Sequence, residues 1–182
     1  MPYRRVLAGA VALVGGAALV DVGFRLGLPA VERAGNAAMI LASLGLAFLP
    51  KALGATPRVG RRLYWAGLAL ATVVDVPALI DPADLRAGRV LGFPAMLLMT
   101  VGLIVLWRRV REPALLVAAL WFFVQLPPNV FLFIIPDQRP SFVLQVTGCA
   151  VALAVAARRA QRSRIATTPW PPAAQMEMSP RP

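Results

Sequence analysis

The hydrophobic residues of this chain fall in long blocks separated by short polar segments. The blocks are each about twenty residues long and lack the polar face of an amphipathic helix on a soluble protein. A helix of about twenty apolar residues spans the hydrocarbon core of a bilayer. The pattern therefore predicts six transmembrane helices, at roughly residues 6–28, 36–53, 62–80, 90–107, 113–135 and 141–157.

Composition agrees with a membrane protein. Of 182 residues, 59% are hydrophobic, and the mean hydropathy is +0.70. Residues 1–28 could alternatively be a cleaved signal peptide, because Arg4 and Arg5 precede an apolar run. That run continues past Asp21 towards Pro29, and five further blocks follow, so we expect an uncleaved first helix.

The basic residues lie mainly on one side of the predicted spans. If the N-terminus is cytoplasmic, all 19 lysines and arginines fall on the inner side except Arg25, Arg33, Arg86, Arg89 and Arg139. This bias is the positive-inside rule. The net charge of +11 therefore indicates topology, and we expect no nucleic-acid partner. The prediction is a multi-pass protein of the cell (inner) membrane, with the lipid bilayer as partner and both termini cytoplasmic.

An internal repeat indicates how the spans are organised. Residues 19–35 and 73–88 share V-D-V followed by P-A-x-x-R-A-G, and residues 37–46 and 94–103 are identical at five of ten positions. The last two spans match more faintly. We therefore predict an all-α fold of three tandem two-helix hairpins within residues 1–160. Residues 161–182 are rich in proline and are predicted to form a disordered cytoplasmic tail.

Each odd-numbered predicted helix carries a polar residue with a helix-breaking residue two positions later. A carboxylate in hydrocarbon costs about 2.5–3.5 kcal/mol, and a proline frees the carbonyl four residues back. Such groups need a partner, water or a ligand. The pairs are Asp21 with Gly23, Asp75 with Pro77, and Gln125 with Pro127, and the last of these helices adds Pro128 and Asn129.

These polar residues are the candidate site for a small solute or an ion. Asp21 has a local alternative, an ion pair with Arg25 one turn along the helix. Asp75 has no opposite charge at that spacing, so it needs another helix, a proton or water. Gln125 and Asn129 lie one turn apart, and their amides could instead repair the backbone that the two prolines disrupt.

Little in the sequence supports catalysis. Without histidine, and with Cys149 as the single cysteine, the usual zinc, copper and haem sites are not expected, and a Ser/His triad is excluded. We expect no cofactor.

Three functions remain open. The first is a channel or transporter that passes a small polar solute, a cation or protons. The second is a structural or assembly subunit that binds a membrane protein partner or a second copy of itself. The third is a membrane enzyme that acts on lipid or quinone with Asp75 as acid or base.

Overall fold

The structure is a computed structural model of the chain. It describes the backbone of residues 1–54, 56–81, 86–131 and 142–167. Within these ranges it describes all side chains except those of residues 86–90, 125–131, 142, 145 and 164–167.

The described chain is helical and contains no strand, so the all-α prediction is confirmed. Proline begins or nearly begins several helices, where its missing N–H costs nothing. Gly27, with φ of 64°, ends the first helix in the left-handed conformation that glycine tolerates. The helices are α1 (Pro2–Leu26), α2 (Pro29–Leu46), α3 (Leu49–Leu53), α4 (Arg58–Ile80), α5 (Arg86–Val110), α6 (Pro113–Phe131) and α7 (Phe142–Thr167).

Four segments of the described chain are long and apolar enough to cross a membrane. They are α1, α2 together with α3, α4, and Leu91–Val110 of α5. Large apolar side chains on these helices point outwards, among them Val11, Leu41 and Val73, which are all more than half exposed. The protein is therefore embedded in a membrane through several apolar helices.

Two boundaries differ from the prediction. The second helix begins at Pro29, because proline is favoured in a first helical turn, and it is interrupted at Ala47 and Phe48 before α3. The last helix continues to Thr167, so residues 161–167 are helical, although the sequence predicts that they belong to the tail. No proline occurs in this stretch before Pro169. Residues 168–182 lie outside the described part of the chain.

The six long helices form a ring. α1 packs on α2, α4 on α5, and α6 on α7, which gives three hairpins. The hairpins are joined by contacts of α2 with α4 and of α5 with α6, and α7 closes the ring against α1. α3 contacts α1 and α7. In the described chain, α1, α4 and α6 alternate around this ring and do not pack extensively against one another.

Glycines bring the helices of the first two hairpins into close contact. Gly45 of α2 faces the backbone of Gly9, and Gly102 of α5 faces the backbone of Tyr64. The sequence repeat aligns Gly45 with Gly102. It also aligns Asp21 with Asp75, and the residues eleven positions before these two are Ala10 and Tyr64. Ala10 directly follows Gly9. The two hairpins therefore pack in nearly the same register, as a duplicated unit would.

One end of the bundle collects basic residues and is called the basic end below. It contains Arg5 over the ring of Phe48 at 4.4 Å, and Arg159, which donates to Glu112 at 3.3 Å. α1, α4 and α6 begin here, and α5 and α7 approach it at their ends. The main core fills the half of the bundle next to this end, with Tyr64, Leu103, Leu106, Leu115 and Leu153 nearly or completely buried.

The opposite half of the bundle is called the far half. Among its described residues, a smaller cluster of buried side chains is formed by Ala17, Val20 and Met39. Among the described residues, the buried apolar side chains are therefore concentrated near the basic end.

Candidate functional site

Asp75 lies on the face of α4 that points into the bundle. Tyr64, Leu68, Ala71 and Asp75 follow one another at spacings of four, three and four residues, which places them on one face of a helix. Tyr64 and Leu68 belong to the main core, and Ala71 packs against it. Asp75 therefore continues the inward face of α4, just beyond the main core.

Fewer residues of α4 are buried towards its C-terminal end. Its buried residues are Gly60, Tyr64, Gly67 and Leu68. From Ala69 to Ile80, every residue is at least partly exposed. Asp75 therefore lies in the part of α4 whose described side chains are partly exposed and not fully buried.

Asp75 has no internal partner in the described structure. No hydrogen bond or ion pair joins its carboxylate to another residue that the structure describes, whereas Asp21 and Glu32 both have such interactions. A charged carboxylate in an apolar region is costly unless it is paired or hydrated. Asp75 is therefore suited to hold water, a proton or a polar solute.

Asp21 has a structural partner on another helix. The backbone N–H of Val143 donates to its carboxylate at 3.2 Å. Val143 is in the first turn of α7, where backbone N–H groups lack intrahelical acceptors and the helix dipole favours negative charge. Asp21 therefore caps α7, whereas the sequence suggests Arg25, one turn along α1, as its partner.

Gly23 allows α1 and α2 to approach. A Cβ atom at this position would lie 2.6 Å from the backbone nitrogen of Glu32 and 2.7 Å from its Cγ. α1 continues through Gly23 to Leu26, so this glycine does not break the helix. Its role is to make room for Glu32.

Two buried polar residues of α2, Glu32 and Asn36, are not identified by the sequence pattern. Glu32 is 8% exposed and lies in the first turn of its helix, where a carboxylate is favoured by the dipole. Asn36 is 6% exposed and donates to the carbonyl of Ala78 at 3.4 Å. A sequence prediction that began this helix at Pro29 would have identified them, because residues four apart lie on one face of a helix.

Side chains of α2 donate hydrogen bonds to backbone carbonyls at the C-terminal end of α4. The last carbonyls of a helix lack intrahelical donors. Arg33 donates to the carbonyl of Ile80 at 3.0 Å, as Asn36 does to that of Ala78. Ala78 is less than one helical turn beyond Asp75, so Asn36 lies at nearly the same level as the candidate carboxylate.

The prolines do not interrupt their helices. α4 continues through Pro77 to Ile80, and α6 continues through Pro127 and Pro128 to Phe131. A proline removes one donor, but the turns on either side can keep their own hydrogen bonds. The side chains of Gln125 and Asn129, on the same helix as the paired prolines, lie outside the described residues.

Asp21 and Asp75 lie on α1 and α4, which are not adjacent in the ring. Asp21 is directed to α7, and Asp75 lies on α4, with α2 between α1 and α4. The polar residues of α2, Glu32 and Asn36, occupy the helix between them. A further buried polar group, the hydroxyl of Thr100 on α5, has no hydrogen-bond partner among the described residues and is likewise not identified by the sequence pattern.

The functional groups described in this region include carboxylates and an amide. Carboxylates and an amide can hold a proton, a cation or a solute with hydrogen-bond donors. In the described residues there is no group of three or more His, Cys, Asp or Glu that could hold a metal ion. No family model, curated protein or solved structure matches the chain.

Proposed function

We propose that this protein is a six-span membrane protein that passes a small polar solute, a cation or protons, and that Asp75 is the principal binding residue. The observation that carries the proposal is the position of Asp75. It lies on the inward face of α4 and has no internal partner in the described structure.

The six-span topology is supported by the lengths of the helices. The six long helices contain 18–26 residues, which at about 1.5 Å per residue is enough to cross most or all of a hydrocarbon core of about 30 Å. Each hairpin returns the chain to its starting side. The basic end then belongs in the cytoplasm by the positive-inside rule, and the far half faces outwards.

The main core implies a gated passage. Near the basic end, Tyr64, Leu103 and Leu106 are buried with side chains from the other hairpins. A solute bound at Asp75 from the outside would meet this core before it reached the cytoplasm. Transport therefore requires the hairpins to move apart near the basic end, as in alternating access.

Flux measurements on reconstituted protein test the proposal. Liposomes loaded with a pH-sensitive dye report protons, and counter-ion substitution in the same assay reports cations. Shrinkage followed by light scattering reports neutral solutes such as glycerol or urea. We expect flux above that of protein-free liposomes for at least one of these classes, and no flux for any class would contradict the proposal.

Labelling of introduced cysteines tests the orientation. Arg62 is exposed near the basic end and Asp81 is exposed at the far end of α4, whereas Cys149, the native cysteine, is buried. An impermeant maleimide added to intact cells should label a cysteine at residue 81 and not one at residue 62. The reverse pattern would invert the proposed topology.

A second candidate is a structural subunit of a membrane complex. It is favoured by the way in which the polar groups of the far half stabilise the fold, with Asp21 capping α7 and with Arg33 and Asn36 capping α4. Purification of a stable complex, together with the absence of flux, would favour this alternative.

A further inference from the structure

A groove between α2, α3 and α4 opens beside the basic end. Its volume is about 710 Å³, which is in the range of small-molecule sites in proteins. Along α4 it extends from Arg61 to Thr72, a distance of about 16 Å at 1.5 Å per residue. The groove is therefore long, and it runs parallel to the helix axis.

The end of the groove near the basic end is cationic. Lys51 and Arg61 both line it. The guanidinium of Arg61 lies 5.3 Å from the ring centre of Trp65. Its Nε is buried and has no hydrogen-bond partner among the described residues. Two cationic side chains at one end of the groove favour an anionic group there.

The rest of the groove is apolar. Leu44, Leu68 and Ala69 line it. Two hydroxyl groups also face it, but both protons are used within their own helices. Ser43 donates to the carbonyl of Met39 at 3.3 Å, and Thr72 donates to that of Leu68 at 2.9 Å. A ligand that fills the groove must therefore combine an anionic head with a hydrocarbon chain.

The mouth of the groove faces the surroundings of the bundle. Leu44 is 64% exposed and Trp65 is 43% exposed, as expected for side chains that meet lipid. Trp65 also donates from its indole nitrogen to the carbonyl of Ala47 at 3.0 Å. Such a tryptophan, with its polar edge bound and its ring exposed, is typical of the headgroup level of a membrane.

We propose that this groove binds one anionic phospholipid of the cytoplasmic leaflet. The phosphodiester lies between Lys51 and Arg61, and an acyl chain extends along α2 and α4 towards Thr72. No carboxylate is among the described residues that line the groove, so the ammonium of a zwitterionic headgroup has no partner there. The inference rests on the proposed membrane orientation, and it is independent of transport.

Native mass spectrometry of the purified protein in detergent tests the inference. Phosphatidylglycerol and phosphatidylcholine with the same acyl chains are added separately. We expect tighter binding of the first phosphatidylglycerol molecule. Lys51→Gln and Arg61→Gln should each weaken it about fivefold, the factor that corresponds to about 1 kcal/mol for each basic residue near an anionic lipid.

Arg62→Gln is the matched control. Arg62 adjoins Arg61 on α4, is exposed and does not line the groove, so this variant loses the same charge and should bind phosphatidylglycerol within about twofold of the wild type. Arg61→Lys keeps the charge but removes the guanidinium, and it should give only a partial loss even if Arg61→Gln folds poorly.

Three results would overturn the inference. Equal affinity for the two lipids would remove the headgroup preference, and an equal effect of Arg61→Gln and Arg62→Gln would indicate attraction by general surface charge. Displacement of the lipid by millimolar inorganic phosphate would indicate a site for a soluble anion. Normal solute flux without a preference for phosphatidylglycerol would refute only the lipid site.

Discussion

Replacing Gly102 by alanine tests the close packing of α4 on α5. A Cβ atom at Gly102 would lie 2.6 Å from the nitrogen and 2.9 Å from the Cα of Tyr64. Both are backbone atoms, which can move only if α4 moves. Because ordinary contacts begin near 3.4 Å, the two helices would have to separate by up to about 0.8 Å.

The expected effect is a net loss of stability. Overpacking of a core typically costs about 1–3 kcal/mol. Alanine recovers up to about 1 kcal/mol of helix propensity relative to glycine. We therefore expect Gly102→Ala to lower the free energy of unfolding by about 1–2 kcal/mol. Unfolding of the purified protein in mixed micelles by increasing dodecyl sulfate, followed by circular dichroism, measures this change.

Gly92→Ala is the control on the same helix. A Cβ atom at Gly92 would meet nothing within 4 Å, so this variant should be as stable as the wild type or more stable by up to about 1 kcal/mol. If the two alanine variants shift the free energy of unfolding equally, the close helix contact in the structure is wrong.

Two further substitutions test specific hydrogen bonds. Asp21→Ala should lower the free energy of unfolding by about 0.5–2 kcal/mol because α7 loses its cap, and Asp21→Asn, which keeps an acceptor, should lose less; equal losses in the same unfolding assay would contradict the capping role. Tyr64→Phe removes a 3.1 Å hydrogen bond to the carbonyl of Leu46 but keeps the ring, so it should cost about 0.5–1.5 kcal/mol, and an unchanged unfolding midpoint would show that this bond contributes nothing.

The sequence predicts the class of this fold well, because several apolar blocks of this length are typical of membrane spans and not of soluble domains. The blocks predict α1, α4 and α5 within a few residues, and the repeat predicts that hairpins are the structural unit. Helix ends are less predictable, since they depend on local capping. The apolar pattern puts the start of the second helix at residue 36, whereas α2 begins at Pro29, and this error leaves Glu32 in a predicted loop.

Contacts between residues on different helices could not be predicted from the chain alone. Asp21 has Arg25 one turn away in sequence, but the fold brings the N-terminus of α7 to it from residue 143. Gly23 resembles a helix breaker because glycine has low helix propensity, whereas it serves a contact with α2. In each case the deciding group lies on another helix.

The role of Asp75 as a binding residue stays a prediction. The sequence shows a carboxylate without a neighbouring cation, and the structure gives it an inward position without an internal partner in the described residues. The two other polar positions on odd-numbered predicted helices differ from it. Asp21 has a structural contact, and the role of Gln125 stays a prediction.

The most direct measurement of the proposed function compares flux through Asp75→Asn and Asp81→Asn in liposomes. Each substitution removes one carboxylate. Asp75 lies within α4, whereas Asp81 is exposed at the C-cap of the helix. We expect Asp75→Asn to change the flux of the transported species by at least about tenfold, which corresponds to about 1.4 kcal/mol, and Asp81→Asn to leave it nearly unchanged. Equal flux through the wild type and both variants would contradict a transport role for Asp75.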